Sequence, residues 1–149
     1  MSILEDLKSS KNLIIGAGTT GKSLARFLNS KNISYAIYDE KINSMDGIEV
    51  LNAIPNEVDI ALVSPGWRLD NPGIIELRNR GVRLISEIDL AWLLKTEINP
   101  EQKWVAVTGT NGKTTTVQML ESILNISDLN AIACGNVGLP AIEIGRAHV

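Results

Sequence analysis

The stretch Thr108-Gly109-Thr110-Asn111-Gly112-Lys113-Thr114 has the residue types of a phosphate-binding loop. The β-branched run Val105–Val107 precedes it, and residues with helical spacing follow it. In such a loop, backbone N–H groups and a helix N-terminus form a positive concavity, a lysine adds a mobile charge, and a hydroxyl can bind Mg²⁺. The general pattern G-x-x-x-x-G-K-[ST] is incomplete here, because Val107 stands where its first glycine would be.

A second glycine-rich loop, Gly16-Ala17-Gly18-Thr19-Thr20-Gly21, lies near the start of the chain. It joins a predicted strand, residues 11–15, to a predicted helix, residues 22–29, which is the context that the dinucleotide fingerprint requires. Asp39 ends the next predicted strand, residues 34–38, where an acidic residue normally accepts a hydrogen bond from a ribose or a base. The pattern favours a nucleotide-type ligand. In the alternative reading, the glycines only permit close packing of helix and sheet.

The elements that must position these loops alternate between strand and helix. Further strands are predicted at residues 48–50, 59–63 and 82–85, and helices at residues 72–80 and 87–94. Asn71 and Ser86 are the predicted N-caps of the two helices, and Gly81 the stop of the first. Ser64-Pro65-Gly66 forms a turn at the carboxyl end of a strand, where ligands bind in open α/β sheets. The pattern predicts a small parallel α/β domain.

A polar stretch, residues 95–101, breaks this alternation, so we predict one domain over residues 1–98 and the opening of another over residues 99–149. The second unit has predicted strands at residues 104–107 and 130–134 and a predicted helix over residues 114–125. The fold class is therefore α/β, with a Rossmann-like parallel sheet followed by an incomplete phosphate-loop domain.

Composition narrows the function classes. Apolar residues make up 44% of the chain and charged residues 21%, as in ordinary soluble domains, and the net charge of −3 gives no basic footprint for nucleic acid. Cys134 is the sole cysteine, which fits a reducing compartment. The first residues resemble no signal peptide, and no apolar run approaches a membrane span. We therefore expect a cytoplasmic protein whose partners are neither nucleic acid nor membrane.

In combination, these motifs resemble the Mur ligases, the ATP-dependent amide-forming enzymes of peptidoglycan assembly. The family's short loop form matches residues 108–114 and accounts for Val107, and its UDP-binding first domain is similar to the glycine loop with Tyr38-Asp39. Three further stretches occur in the family's order and spacing: Ser64-Pro65-Gly66, Ser86-Glu87-Ile88-Asp89-Leu90 and Gly135-Asn136-Val137-Gly138-Leu139-Pro140. The resemblance covers nearly the whole chain.

The resemblance implies an enzyme that adds D-glutamate to UDP-N-acetylmuramoyl-L-alanine, with ATP and Mg²⁺. The alanyl carboxylate would attack the γ-phosphate of ATP, and the amine of D-glutamate would then displace phosphate from the acyl phosphate. The family has three domains, and this chain matches the first and only the opening of the second. We therefore expect an N-terminal fragment that is inactive alone, and whose incomplete second unit docks on the first, pairs with another copy or is partly disordered.

The resemblance also implies residue roles. Lys113 would bridge the β- and γ-phosphates as the catalytic residue, and the hydroxyl of Thr114 would ligate Mg²⁺. A cation at a helix N-terminus is unfavourable by about 0.3–1 kcal/mol unless an anion is present, which favours phosphate binding by Lys113. The other implied ATP-binding residues are Gly109, Thr110, Asn111, Gly112 and Thr115, and the implied substrate-binding residues are Gly18, Thr19, Thr20, Asp39, Ser64, Gly66 and Asn136.

Two other functions stay open. The first fingerprint alone also fits an NAD-dependent oxidoreductase domain, although such an enzyme has no use for a loop ending in Gly-Lys-Thr. A stand-alone nucleotide-binding module without catalysis is the other alternative.

Overall fold

The computed structural model describes residues 2–135 and 138–144. None of the helices in these ranges is both long and apolar enough to span a membrane. The elements follow one another as α1 (Ile3–Ser9), β1 (Asn12–Ile15), α2 (Thr19–Ser30), β2 (Tyr35–Tyr38), β3 (Ser44–Met45), β4 (Ile48–Glu49), β5 (Ile60–Val63), α3 (Pro72–Asn79), β6 (Arg83–Ser86), α4 (Glu87–Ile98), α5 (Lys113–Ile126) and α6 (Ala141–Ile144).

Four strands form one parallel sheet in the order β2-β1-β5-β6. Leu13 at the centre of the sheet lies opposite Ala36 on one side and Ala61 on the other. Parallel neighbours need crossover connections, and α2 and α3 provide them between β1 and β2 and between β5 and β6. The predicted Rossmann-like α/β sheet is confirmed.

The sheet is covered on both faces, so its two central strands are buried throughout. Alternate residues of each strand point to opposite faces and join two separate cores. On one face Ile14 and Leu62 pack with buried residues of α2 and α4. On the other, Leu13 and Ala61 pack with residues of α3. This continuous burial explains why the strands appear in the sequence as unbroken apolar runs.

The first helix, α1, was not predicted. Ser2 caps it through its side chain, which accepts from the N–H of Leu4, and Glu5 completes a capping box by reaching back to the N–H of Ser2. Glu97, in the last turn of α4, accepts hydrogen bonds from the Ser2 hydroxyl and the Ile3 N–H, both at 2.6 Å. The beginning of the chain is thereby fixed to the end of α4.

A short hairpin, β3 and β4, follows the sheet strand β2, and it contains the strand predicted near Ile48. Asp46 (φ 52°) and Gly47 (φ 82°) form its turn, with the two positive φ angles that two-residue hairpin turns need. After the hairpin, Leu51 pairs in parallel with Tyr38. This contact covers part of the outer edge of β2.

The predictions for the second unit were only partly correct. The helix forms as α5, but neither residues 104–107 nor residues 130–134 form a strand; among the described residues of this unit, one isolated bridge joins Cys134 to Leu139. A strand forms only by continuous pairing with a neighbour, and neither run has such a neighbour in the described residues. Instead, the N–H groups of Ala131 and Ala133 donate to the side chains of Asn125 and Glu121 on α5.

Helix α5 buries none of its residues, although its apolar residues recur with helical spacing. Met119, Ile123 and Ile126 are 59%, 58% and 84% exposed, and Val105 and Leu129, in the segments before and after the helix, are also exposed. An exposed apolar face of this kind normally lies against another surface. The helix is thus formed by local sequence, without a core of its own in the described residues.

Helix α6, in contrast, docks firmly on the first domain. Its Ala141, Ile142 and Ile144 are buried in contact with α2 and α4. The buried carboxylate of Glu87, at the start of α4, accepts the Ile142 N–H at 2.6 Å, and Arg26 on α2 pairs with Glu143 at 2.8 Å. Because Glu87 belongs to α4 and accepts an N–H from the first turn of α6, it joins the 138–144 segment to the first domain.

We expect Glu87 to make stability depend on pH. Burial raises the pKa of its carboxyl above 4.5, and the hydrogen bond from Ile142 opposes that effect only in part. The folded state therefore holds a proton that the unfolded state releases, so stability present below about pH 4.5 is lost as the pH rises. Relative to Glu87→Gln, which titrates nowhere in this range, the wild type should lose up to about 1.4 kcal/mol per pH unit. Urea unfolding from pH 4.5 to 7 measures the difference, and a difference constant with pH would contradict the assignment.

Candidate functional site

The predicted substrate residues of the first domain meet at one edge of the sheet. From β1 the chain crosses by α2 to β2 on one side, whereas β5 lies on the other side of β1. The carboxyl ends of β1 and β5 therefore flank the point where the strand order reverses, which is the usual ligand crevice of open α/β sheets. The loops after β1, β2 and β5 all begin at this edge.

Gly16 is at the centre of this edge. Its N–H donates to the Tyr38 carbonyl at 2.9 Å, and its φ of +100° suits glycine alone. A Cβ atom on Gly16 would lie 2.7 Å from Nε1 of Trp67 and 2.9 Å from Oγ of Ser64. No side chain fits between these two groups, so the backbone itself forms the floor of the crevice.

The next part of the loop leads into α2 and presents free backbone donors. Gly18 is the N-cap of this 12-residue helix, makes no side-chain cap hydrogen bond, and has no acidic residue after it in the first turn. The N–H groups of the first turn, which includes Thr19 and Thr20, therefore have no anionic partner within the helix. Gly18 and Thr19 are exposed. Such an uncapped N-terminus carries a partial positive charge toward the crevice.

Asp39, after β2, is tied to both neighbouring loops. One carboxylate oxygen accepts the N–H of Ala17 at 2.9 Å, and the other accepts those of Lys41 at 2.8 Å and Ile42 at 3.2 Å. Partial burial alone would raise the pKa of Asp39, but these three backbone donors outweigh it and hold the pKa below 3.8. A carboxylate has about four acceptor positions, so one is left for a further donor.

Ser64 follows β5 and is almost wholly buried, at 9% exposure. Its N–H donates to the Ile15 carbonyl at 3.0 Å, which extends the pairing of β5 with β1 by one residue. Its hydroxyl is buried with no hydrogen-bond partner in the described residues. Buried hydroxyls are normally paired, so this orphaned group is a reason to expect a ligand at the edge. Gly66, two residues on, is exposed.

The second glycine loop lies outside this edge. Gly109 (φ +147°) and Gly112 (φ +76°) give the loop its left-handed turns, and Gly112 is the N-cap of the 14-residue α5 without a side-chain cap. The ammonium of Lys113 folds back to the carbonyls of Gly109 and Thr110. Like Lys113, the predicted phosphate-loop residues Thr110, Asn111, Thr114 and Thr115 are exposed. The loop therefore presents a free helix N-terminus and a mobile cation to solvent.

The structure does not join the two loops. Among the described residues, no hydrogen bond connects the loop of residues 109–115 to the crevice at the sheet edge. Asn136, predicted to reach the substrate from the second unit, lies outside the described residues. The same ranges contain no group of three or more His, Cys, Asp or Glu residues that could hold a metal ion. The role of Thr114 as a Mg²⁺ ligand therefore stays a prediction from the sequence.

Sequence reasoning missed one side chain at the crevice, Trp67. The half-buried indole packs against Tyr38 with ring centroids 5.6 Å apart, next to Gly16. The sequence could have indicated Trp67, because this residue directly follows Ser64-Pro65-Gly66, the turn predicted to bind a ligand. Cys134 lies against the core of the first domain, and burial, followed by the charge of Glu87, raises the pKa of its thiol.

Comparison with known proteins gives a consistent set of relatives, although no protein-family model matches the chain. The UDP-N-acetylmuramoylalanine–D-glutamate ligase of Corynebacterium efficiens is 33% identical over 153 residues, which covers 94% of this chain and 32% of that enzyme. The enzyme of the same name from Gloeobacter violaceus is 35% identical, covering 88% of this chain and 32% of its own length. Among solved structures, the UDP-N-acetylmuramate–alanine ligase MurC of Thermotoga maritima matches with a TM-score of 0.45 at 24% identity, over 83% of this chain and 32% of that chain.

The family assignment rests on the sequence relatives, which agree in name and each match most of this chain. The chain spans about a third of their length. By its sequence it therefore belongs to the Mur ligase family, as a relative of the UDP-N-acetylmuramoylalanine–D-glutamate ligases.

Proposed function

We propose that this chain holds the UDP-binding part, and the opening of the ATP-binding part, of a ligase that adds D-glutamate to UDP-N-acetylmuramoyl-L-alanine in peptidoglycan synthesis. One observation carries the proposal. The glycine loop, Asp39 and Ser64 converge at the strand-order reversal of a parallel sheet, in a chain related to enzymes named for this reaction.

The diphosphate of the substrate would lie at the N-terminus of α2. The N–H groups of Gly18, Thr19 and Thr20 would donate to it, with the two threonine hydroxyls beside them. The absence of a side-chain cap and of first-turn acidic residues supports this placement, because both would compete with a bound anion. The orphaned Ser64 hydroxyl and the exposed Gly66 backbone would complete the site from the other side of the crevice.

The uracil ring would lie near Asp39. Three backbone N–H groups already bind this carboxylate, so its larger contribution would be to order the loop of residues 40–42 and the start of the glycine loop. The acceptor position that is left can take the imide N–H of uracil. Its lowered pKa keeps the side chain an acceptor throughout the neutral range.

The residues present also fit ATP at the second loop. The N–H groups from Asn111 to Thr115 would surround the phosphates, and Lys113 would exchange its contacts with the loop carbonyls for the β- and γ-phosphates. Gly109 and Thr110 would shape this turn. Mg²⁺, held in part by the Thr114 hydroxyl, supplies neutralisation of phosphate charge when bound. The loop's exposure supports the idea that further protein surface is needed to close the site.

The two sites would belong to two domains, residues 1–98 and 99–149, with the boundary at the end of α4. In the complete reaction, the alanyl carboxylate would be phosphorylated by ATP and the amine of D-glutamate would then form the amide. Two anions must approach each other in the first step, so the cations at the second loop would lower its barrier most. Because no hydrogen bond connects the two loops within the described residues, we propose that these 149 residues bind substrate but form no product.

Calorimetric titration of the 149-residue chain tests this function. UDP and UDP-N-acetylmuramoyl-L-alanine should bind, NAD should bind more weakly, and addition of ATP and D-glutamate to the bound UDP-N-acetylmuramoyl-L-alanine should release no phosphate. Tighter binding of NAD would favour the oxidoreductase alternative and overturn the proposal. Phosphate release that depends on D-glutamate would instead show that these residues suffice for catalysis.

A further inference from the structure

Trp67 occupies a position at the crevice that none of the roles above includes. The backbone N–H of Trp67 donates to the Ser64 carbonyl at 3.0 Å. This hydrogen bond closes a tight turn after β5 and brings the side chain back over the sheet edge. The indole then packs on Tyr38, the last residue of β2, with ring centroids 5.6 Å apart and planes tilted by 48°. Since β1 lies between β5 and β2 in the sheet, this contact carries the ring across the end of β1.

The polar atom of the ring faces the floor of the crevice. Both Nε1 of Trp67 and Oγ of Ser64 lie within 3 Å of the point where Gly16 would carry a Cβ, at 2.7 and 2.9 Å. Within the described ranges, the Ser64 hydroxyl is buried without a partner, and no hydrogen bond from the indole N–H is found. Two unpaired donors therefore converge at the strand-order reversal, where a ligand oxygen could satisfy both.

The indole and the Ser64 hydroxyl are neighbours at Gly16. The hydroxyl is buried, and Nε1 of Trp67 and Oγ of Ser64 are the two side-chain atoms nearest to the point where Gly16 would carry a Cβ. A ligand oxygen that pairs with the Ser64 hydroxyl would therefore lie close to the indole N–H. The ring is half-buried and packs on Tyr38, which directly precedes Asp39, the residue proposed to meet the base.

We propose that Trp67 is a nucleotide-binding residue of this crevice, whose indole forms one wall of the site and donates its N–H to an oxygen of the bound uridine diphosphate. The inference rests on the proposed function, since it places a uridine nucleotide at this edge. It adds a determinant of specificity from the β5 loop: an aromatic wall that favours a planar base and a donor that favours an anionic or carbonyl oxygen.

Trp67→Phe tests the proposal, because phenylalanine keeps an aromatic ring against Tyr38 and removes only the N–H and the larger ring system. UDP should bind about 3–10-fold more weakly, the range expected for one lost hydrogen bond. UDP should also change the tryptophan emission of the wild type, and this change should disappear in Trp67→Phe. A purely structural role for Trp67 would not make its emission respond to ligand.

Trp92→Phe is the matched control. Trp92 is also partly exposed, but it packs edge-on against Trp104, with Lys95 over its ring, on α4 away from the crevice. We expect its UDP affinity and its emission response to equal those of the wild type. If the wild type binds UDP and Trp67→Phe binds it equally with the same emission change, this inference fails and the proposed function stands. If the wild type binds no UDP, both fail.

Discussion

Replacing Gly21 by alanine should destabilise the protein by about 3 kcal/mol, at the upper end of the range for overpacked positions. A Cβ atom at this position would lie 1.9 Å from the Gly16 carbonyl oxygen and 3.0 Å from its carbon. Both are backbone atoms of the crevice floor, so no rotamer change can relieve the clash, and α2 has to move away from β1. The loss should appear as a lower midpoint in urea unfolding, together with weaker UDP binding.

Gly18→Ala provides a control within the same loop. Nothing lies within 4 Å of the Cβ that it would gain, and the backbone of Gly18 has an ordinary φ of −77°. Its unfolding free energy should fall by only about 0.5–1 kcal/mol, because alanine is a poorer N-cap than glycine but meets no neighbouring atom. Equal stability of the two variants would mean that helix α2 does not depend on its close approach to β1.

Asp39→Ala should have the second largest effect, and it should act on both stability and binding. The substitution removes the acceptor for three backbone N–H groups, of which that of Ala17 is partly buried. We expect a loss of about 2–3 kcal/mol in unfolding free energy, since hydrogen bonds to charged groups are the stronger ones. Affinity for uridine nucleotides should fall by about 1–3 kcal/mol, because the loop and an acceptor are lost together. Urea unfolding and calorimetry measure the two effects.

Asp39→Asn distinguishes charge from shape, because asparagine keeps one acceptor oxygen and loses the other. Its stability should fall between those of the wild type and Asp39→Ala. The folded pKa of Asp39 is lowered, so its contribution is fully present above about pH 3.9, the unfolded value, and is lost as the pH falls through the lower folded value. The difference between wild type and Asp39→Asn should therefore shrink only below about pH 4. A difference that already shrinks at pH 6 would contradict this account of the carboxylate.

The first domain could be predicted from sequence because its signals are local and agree with one another. Unbroken apolar runs, glycines at the strand ends and Asn71 before Pro72 each predict the observed element, and the Asn71 side chain does accept the Gly73 N–H at 2.8 Å. Helix α1 was not predicted, because a helix of seven residues has too few turns to show apolar periodicity. The sequence does contain its capping box, Ser2 and Glu5.

The second unit shows where local reasoning ends. Residues 104–107 are as β-branched as β5, yet they form no strand, because strand formation depends on a partner that local sequence cannot supply. Local sequence also predicts only part of the candidate site. The positions of Asp39 and Ser64 at strand ends predicted their meeting at one edge, but the orphaned hydroxyl and the indole above Gly16 depend on distances that only the folded chain has.

The bonds from Ser2 and Ile3 to Glu97 have an evolutionary consequence. They bring the two ends of a 96-residue stretch, Ser2 to Glu97, side by side, at the rim opposite the strand ends where the crevice opens. A segment whose ends already meet can be joined to other coding sequence by recombination at little cost in chain entropy, and without opening its sheet. Such a segment can be transferred between genes as a unit, so that the same ligand-binding domain can be joined to different further domains.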